Sequence, residues 1–360
     1  SVLRSGAAVM ASVAVGGGAA FAKARPLAKD DEFLKYDAMG LAALVRRREV
    51  SPSELLDHAA ARMVEQDARF NFIAHEMVDY GRAQIAKGLP KGPFTGVPFL
   101  VKDLNTHIAG HPTGQGSRLY KGYTPNVTSE LVRRQEAAGL VIFGKTTTPE
   151  FGLTGTTESL AEGATLNPWN PAHSSGGSSG GASSAVAAGV VPMAHASDGG
   201  GSIRIPASAC GLFGLKPSRG RVPMGPLRTE GWGGLSTNGV ISRSVRDTAA
   251  MLDATHGVEL GSRYGAPTPD GSFLSQVTKK PGRLRIALML KPLSGAPVDA
   301  EVLAATRAAA KLCEDLGHIV EEAAPQIDPA PMGEASFAII STALGVDIDA
   351  RAKALGVAVD

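Results

Sequence analysis

The sequence predicts an α/β fold: a largely parallel β-sheet covered by helices, in a length that allows one large α/β unit or two or three domains. Three observations carry that prediction. Apolar strand-like segments alternate with amphipathic helical ones, the order that lays helices over a parallel sheet. The 360 residues are 43% hydrophobic and 19% charged, enough for a sizeable core and too apolar for disorder. No self-similarity at a period of 20–50 residues is visible, which removes solenoids and propellers.

The elements follow in chain order. Residues 6–22, GAAVMASVAVGGGAAFA, form one apolar small-residue run after Arg4, and Ala20-Phe21-Ala22 and Ala22-Lys23-Ala24 both offer A-x-A cleavage sites. This is the pattern of an export signal, too short and glycine-rich for a stable membrane span. It predicts residues 1–24 as an export signal or disordered leader, 25–36 as a linker and 37–360 as the folded domain. A cleaved leader places the protein in the periplasm or outside the cell; otherwise it is cytoplasmic.

Residues 37–87 read as helical, and Ser51-Pro52-Ser53-Glu54 is a capping box with proline at the first helical position, opening a helix to about Ala68. FTGVPFLVK (94–102) is a strand that ends on a lysine. A helix over 129–138, stopped by Gly139, leads to the strand LVIFGK. A second strand–helix–strand unit follows: LRIALML, then DAEVLAATRAAAKLCEDL ended by Gly317, then HIVEE. The sequence stops at ALGVAVD inside a helical pattern, so the domain is expected to extend past Asp360.

Charge and cysteine exclude more than they suggest. Thirty-six basic and 34 acidic residues give a net charge of +2, and without a basic stripe no nucleic-acid footprint is expected. Arg46-Arg47-Arg48, followed by Glu49, reads as a solvated helix face. Cys210 and Cys313 make no disulfide framework and read as two buried free thiols.

Glycine is the unusual residue. There are 44 in 360, and 16 of them fall in the 65 residues from Gly176 to Val240. Branched and small apolar residues continue through that segment, so it is packed backbone and not a tether. Such density suggests backbone brought close to a ligand with amides free to point at it. Gly176–Gly181 fits G-x-S-x-G twice, but a nucleophile elbow needs an apolar strand before it, and NPWNPAHSS is turn chemistry. The same loop before a small-residue helix offers an anion site, yet no Gly-Lys-Ser/Thr follows. His107 and His111 have i,i+4 spacing in what reads as loop, so a metal site is not expected.

A third reading uses lysine as the base. GGSSGG (176–181), a small-residue stretch and DGGGSIRIP (198–206) together resemble the amidase signature family over about 31 residues. GVPFLVKDL, FGKTTTPEFG (143–152), GATLNPWN (163–170) and CGLFGLKPSRGRVP (210–223) are also similar to that family. The likeness runs from about residue 37 onward, and it includes general bacterial amidases and the cyclic-dimer hydrolases. It implies a single amidase-signature domain, a mixed, largely parallel β-sheet core covered by helices on both sides, whose catalytic group is Ser202 as nucleophile, Ser178 as a bridging serine in a cis peptide and Lys102 as base. It further implies an oxyanion hole from the amides of Gly199, Gly200 and Gly201 with Ser202, and Gly152 and Ser178 lining the substrate pocket. Ser179, Asp198 and Arg204 are expected as structural support, the last two as a charge pair holding the loop.

Physical need agrees with these assignments. A lysine at its ordinary pKa of about 10.4 is protonated and useless as a base, while Lys102 ends an apolar run where burial favours the free amine. The sequence departs from the commonest family form at Gly199, where a bulkier apolar residue is usual; a looser hole or wider acyl pocket is expected there. The implied reaction is hydrolysis of a small-molecule amide through an acyl-enzyme, with no metal or organic cofactor. A homodimer is left open. Two other readings remain: an amidotransferase subunit releasing ammonia to a partner for tRNA-dependent amidation, and an inactive, binding-only member.

Overall fold

The computed structural model describes residues 32–263 and 265–358. The expected leader, 1–24, and most of the expected linker lie outside the described residues. A 3₁₀ turn, Glu32–Lys35, brings Phe33 and Tyr36 against the core, so packing already begins within the stretch read as linker.

Helix α1 (Ala38–Arg46) is capped by Asp37, whose carboxylate accepts from the Gly40 amide. Helix α2 (Pro52–Phe70) opens on the capping box: Ser51 accepts from the Glu54 amide, and Glu54 accepts from that of Ser51 at 2.8 Å. It runs two residues past its expected end, to a left-handed Asn71. The helical reading of 37–87 misses β1 (Ile73–Glu76), whose four residues are too few to show a period. Helix α3 (Val78–Lys87) follows. Strand β2 is shorter than expected, Pro98–Lys102, because a turn closed by Val97 N–H to Phe94 O occupies the preceding residues.

Helix α4 (Glu130–Ala137) stops before Gly139, at φ 90°, and β3 (Val141–Thr146) follows. Two hairpins, β4 (Glu158–Ser159) with β5 (Gly163–Ala164) and β6 (Leu166–Asn167) with β7 (Asn170–Ser174), lead into α5 (Gly180–Ala187). Next come β8 (Met193–Asp198), α6 (Arg204–Ala209), β9 (Phe213–Gly214), β10 (Thr237–Ser242), α7 (Val245–Thr255) and α8 (Phe273–Val277). The second strand–helix–strand unit is β11 (Arg285–Leu288), α9 (Ala300–Asp315) and β12 (Ile319–Glu322), with β11 and β12 parallel. Helix α10 (Pro329–Leu355) is the last helix among the described residues.

The central sheet has the order β1-β3-β2-β8-β10-β9. Pairing is parallel in β3–β2–β8 and antiparallel at β1–β3, β8–β10 and β10–β9. It is therefore mixed, with fewer parallel pairs than the alternation suggested. Parallel neighbours need a crossover, usually helical; here the segments holding α4 and α5 supply them. Alternation along β2 sends Phe99 and Val101 to a core shared with α1, α4 and α7. Leu100 goes to the opposite core with α2 and α5. Lys102 has the parity of Leu100 and falls on the α5 side, where the glycine–serine loop arrives.

Cys210 is buried, but Cys313 is a correction: it is only half-buried, because α9 has no fully buried residue. Among the described residues, no helix is long and apolar enough to cross a membrane.

Candidate active site

The end of β2 delivers Lys102 fully buried, with its amine among three hydroxyls. Lys102 Nζ lies 2.7 Å from Ser178 Oγ, 3.0 Å from Ser179 Oγ and 3.2 Å from Ser197 Oγ. Burial pushes the Lys102 pKa down to about 7, against the opposing pull of the Asp198 charge. A neutral amine has two N–H donors and one lone pair. Ser179 Oγ already donates to Ser197 O, so it accepts from Lys102. The second N–H suits Ser197, and the lone pair is left for the closest hydroxyl, Ser178.

The loop carrying Ser178 has a cis Gly177–Ser178 peptide, and its glycines pack without clearance. A Cβ on Gly177 would sit 2.4 Å from Thr156 O, one on Gly180 2.3 Å from Thr157 Oγ1, and one on Gly181 2.5 Å from Thr147 N. Thr157 Oγ1 stitches the turn, donating to Gly176 O and accepting from the Gly180 amide at 3.1 Å. What precedes the loop is β7 of a largely exposed two-stranded hairpin, not a core strand; the loop is not a nucleophile elbow.

Ser202 sits just before α6 in a loop organised by Asp198. Asp198 Oδ1 accepts from the Gly201 amide at 2.8 Å and from Arg204 Nη2 at 2.9 Å; Oδ2 accepts from the Ile203 amide at 3.1 Å and Arg204 Nε at 2.9 Å. Burial alone would raise the Asp198 pKa, but the Arg204 hydrogen bonds and the amides outweigh it and hold the carboxyl below its ordinary value. This arrangement corrects one expected role: the Gly201 N–H is spent on Asp198 and is closed to an oxyanion. The amides of Gly199, Gly200 and Ser202 have no hydrogen-bond partner among the described residues, and a Cβ at Gly200 would meet open space.

Gly199 brings a second correction. The space left by its missing side chain is filled, not open: a Cβ there would lie 2.5 Å from the Trp232 ring. Trp232 adopts φ 50° to reach that position, a backbone region uncommon for bulky residues.

One cavity gathers Ser178, Ser202, Gly199 and Gly152, walled by Asn105 and Trp232 among others. Gly152 is in the left-handed region at φ 70°, and a Cβ there would stand 3.2 Å from Ser178 Oγ. The residues missed in the sequence are Ser197, Asn105, Trp232, Asn238 and Arg228. Only Ser197, next to Asp198 in the motif, carried a local signal. A larger groove under α10 adjoins the cavity and shares Asn105, His107, Leu227 and Arg228 with it. His107 is buried in this wall, its pKa pushed down to about 4 by burial and the Lys145 charge, and His111 packs edge-on to Tyr80. Among the described residues, no three His, Cys, Asp or Glu side chains are placed to hold a metal ion.

The Amidase family profile matches residues 60–356. The 6-aminohexanoate-cyclic-dimer hydrolase of Paenarthrobacter ureafaciens is 39% identical over 333 residues, 90% of this chain and 66% of that enzyme. A solved structure of a 6-aminohexanoate cyclic dimer hydrolase complexed with substrate superposes with a TM-score of 0.86 at 37% identity, covering 91% of this chain and 69% of that one. A bacterial aryl acylamidase gives a TM-score of 0.81 at 29% identity, covering 88% of this chain and 67% of that one. The chain thus spans just under two thirds of the curated relative it matches, and within that span Ser178 of the glycine–serine loop and Ser202 of the Asp198 loop line one cavity, with the buried Lys102 amine 2.7 Å from Ser178 Oγ: the chain belongs to the amidase signature family.

Proposed function

We propose that this protein hydrolyses a carboxylic amide, releasing ammonia or an amine, through a seryl acyl-enzyme. The observation that carries the reading is the Lys102 amine, buried, shifted to about 7 and 2.7 Å from Ser178 Oγ. Neutral Lys102 accepts the Ser178 proton as Ser178 accepts that of Ser202, and Ser202 Oγ bonds to the amide carbon. The developing oxyanion is met by the open amides of Gly199, Gly200 and Ser202, a contribution of several kcal/mol in such sites. As the C–N bond breaks, the proton returns from Lys102 through Ser178 to the leaving nitrogen. Water then repeats the sequence on the ester, and the carboxylate leaves.

Similarity to a 6-aminohexanoate-cyclic-dimer hydrolase and to an aryl acylamidase supports small linear, cyclic and aryl amides as the first substrates to try. The test is Ser202→Ala in the full chain on such a panel, with amine release and fluorophosphonate labelling as readouts. Loss of both is expected; undiminished turnover overturns the reading. The apolar run at 6–22 supports export, which N-terminal sequencing of the protein from the periplasmic fraction tests: a start at or after Lys23 is expected, and an intact leader on a cytoplasmic protein overturns it.

A further inference from the structure

His195 is buried at the centre of the sheet, and no step of the proposed chemistry uses it. It stands on β8 between two functional neighbours. Its Nδ1 accepts from the backbone N–H of Lys102 at 3.2 Å, and Thr106 Oγ1 lies 3.3 Å from the same nitrogen. A backbone N–H can only donate, so Nδ1 carries no proton and Nε2 carries one. Nε2–H donates to Asn238 Oδ1 at 3.2 Å. The direction is consistent at the far end, because Asn238 Nδ2 donates to Pro223 O at 3.4 Å and approaches Met224 Sδ at 3.0 Å.

The sheet makes this link possible. In the β8–β10 ladder His195 faces Val240 and Ser197 faces Asn238, so His195 and Asn238 are diagonal neighbours on one face, within reach of a long side chain. Ser197, directly opposite Asn238, is also 3.2 Å from Lys102 Nζ. Asn238 and Met224 line the cavity with Ser178 and Ser202.

We propose that neutral His195 is a positioning residue that ties the backbone of the base, Lys102, to Asn238 and so to the substrate-side wall of the cavity. The proposal rests on the catalytic reading given above. Of the partners facing His195, Lys102 from β2, Thr106 from the following loop and Asn238 from β10, only Lys102 titrates; burial pushes the His195 pKa down to about 3, so the imidazole stays neutral while the lysine changes charge.

Two near-isosteres separate the links. His195→Asn keeps an acceptor where Nδ1 stood and drops the donor to Asn238. His195→Gln keeps a donor where Nε2 stood and drops the acceptor for the Lys102 amide. With 4-nitroacetanilide as the amide and a fluorophosphonate as the Ser202 label, H195N should raise KM about tenfold and leave kcat and the pH midpoint of labelling unchanged. H195Q should lower kcat about tenfold and move that midpoint away from the parent's, the scale of losing one buried hydrogen-bond partner. Asn238→Ala cuts the same link without touching the buried imidazole and should reproduce the KM rise, with the H195N/N238A double variant no worse than either alone. Equal kcat and KM losses in both His195 variants, an unmoved midpoint in H195Q, or additive losses in the double variant overturn the positioning role. Ser202→Ala run beside them keeps the failures apart, since turnover surviving there overturns the catalytic reading itself.

Discussion

A lysine can serve as a base only if its environment makes the free amine cheap, and at Lys102 three features act together. The strand buries it, its hydroxyl neighbours satisfy a neutral amine, and Asp198, whose charge would restore the ammonium, is itself engaged by Arg204. The sign of the pH dependence follows. The pKa is lowered from 10.5 to about 7, so the proton is lost, and the base gained, as pH rises through about 7. A plot of kcat/KM against pH should rise across that point and level off above it. Lys102→Arg preserves charge and much of the volume but cannot release its proton near neutrality. It should lose about 10²–10⁴-fold in kcat at every pH, the usual scale for removing a general base. A rate within about tenfold of the parent in that variant would show that the proton goes elsewhere.

At the scale of elements, the Ser202 loop and the loop carrying Trp232 meet at Gly199, and neither is complete without the other. Gly199→Ala should force the Trp232 ring aside and cost about 1–3 kcal/mol, the range for overpacking, with a rise in KM because Trp232 walls the cavity. Trp232→Ala alone should also raise KM. The double variant should be less destabilised than the sum, since the clash disappears with the ring; additive thermal shifts would mean that the two do not share the space. This contact also marks the boundary of what sequence reading could reach. GGSSGG and DGGGSIR were legible because their pattern runs along the chain: glycines and serines at set intervals, and an aspartate binding amides a few residues on. Trp232, Asn238 and His195 act across strands and loops, where register, and not spacing, brings residues together. The filled space at Gly199 was misread because it depends on Trp232, a partner that local sequence does not name, whereas the Gly201 amide is spent on Asp198 three residues back, where the turn's geometry and not its spacing decides which amide points inward. The capped helix α2 and the strands around Lys102 were legible from periodicity and caps. The four-residue β1 exists only because β3 offers it an edge.

Among the described residues packing is uneven, and the candidate site lies near the less buried part. The two cores on either face of the sheet hold α1, α2, α4, α5 and α7, whereas α10 buries only Ala352 among its 27 residues. Beside its half-buried apolar side chains, polar contacts fasten α10. Arg228 Nη2 pairs with Asp347 Oδ2 at 2.6 Å, Arg351 Nε donates to Leu119 O at 3.2 Å, and the Arg351 guanidinium lies over the rings of Tyr120 and Tyr123. Arg228 belongs to the wall of the candidate cavity, so the fastening of α10 and the shape of the site share a residue. Partly exposed ion pairs and cation–π contacts contribute about 1 kcal/mol or less each and weaken with salt. Detachment of α10 should therefore precede loss of the cores. Asp347→Asn combined with Arg351→Ala removes two such contacts and should speed limited proteolysis between residues 323 and 329 by about tenfold, with added salt quickening cleavage of the parent. The main thermal transition should stay where it is, since neither core is touched. Unchanged cleavage in the double variant would mean that the apolar side chains of α10 hold it after all; a lowered main transition would mean that the helix and the cores melt as one unit.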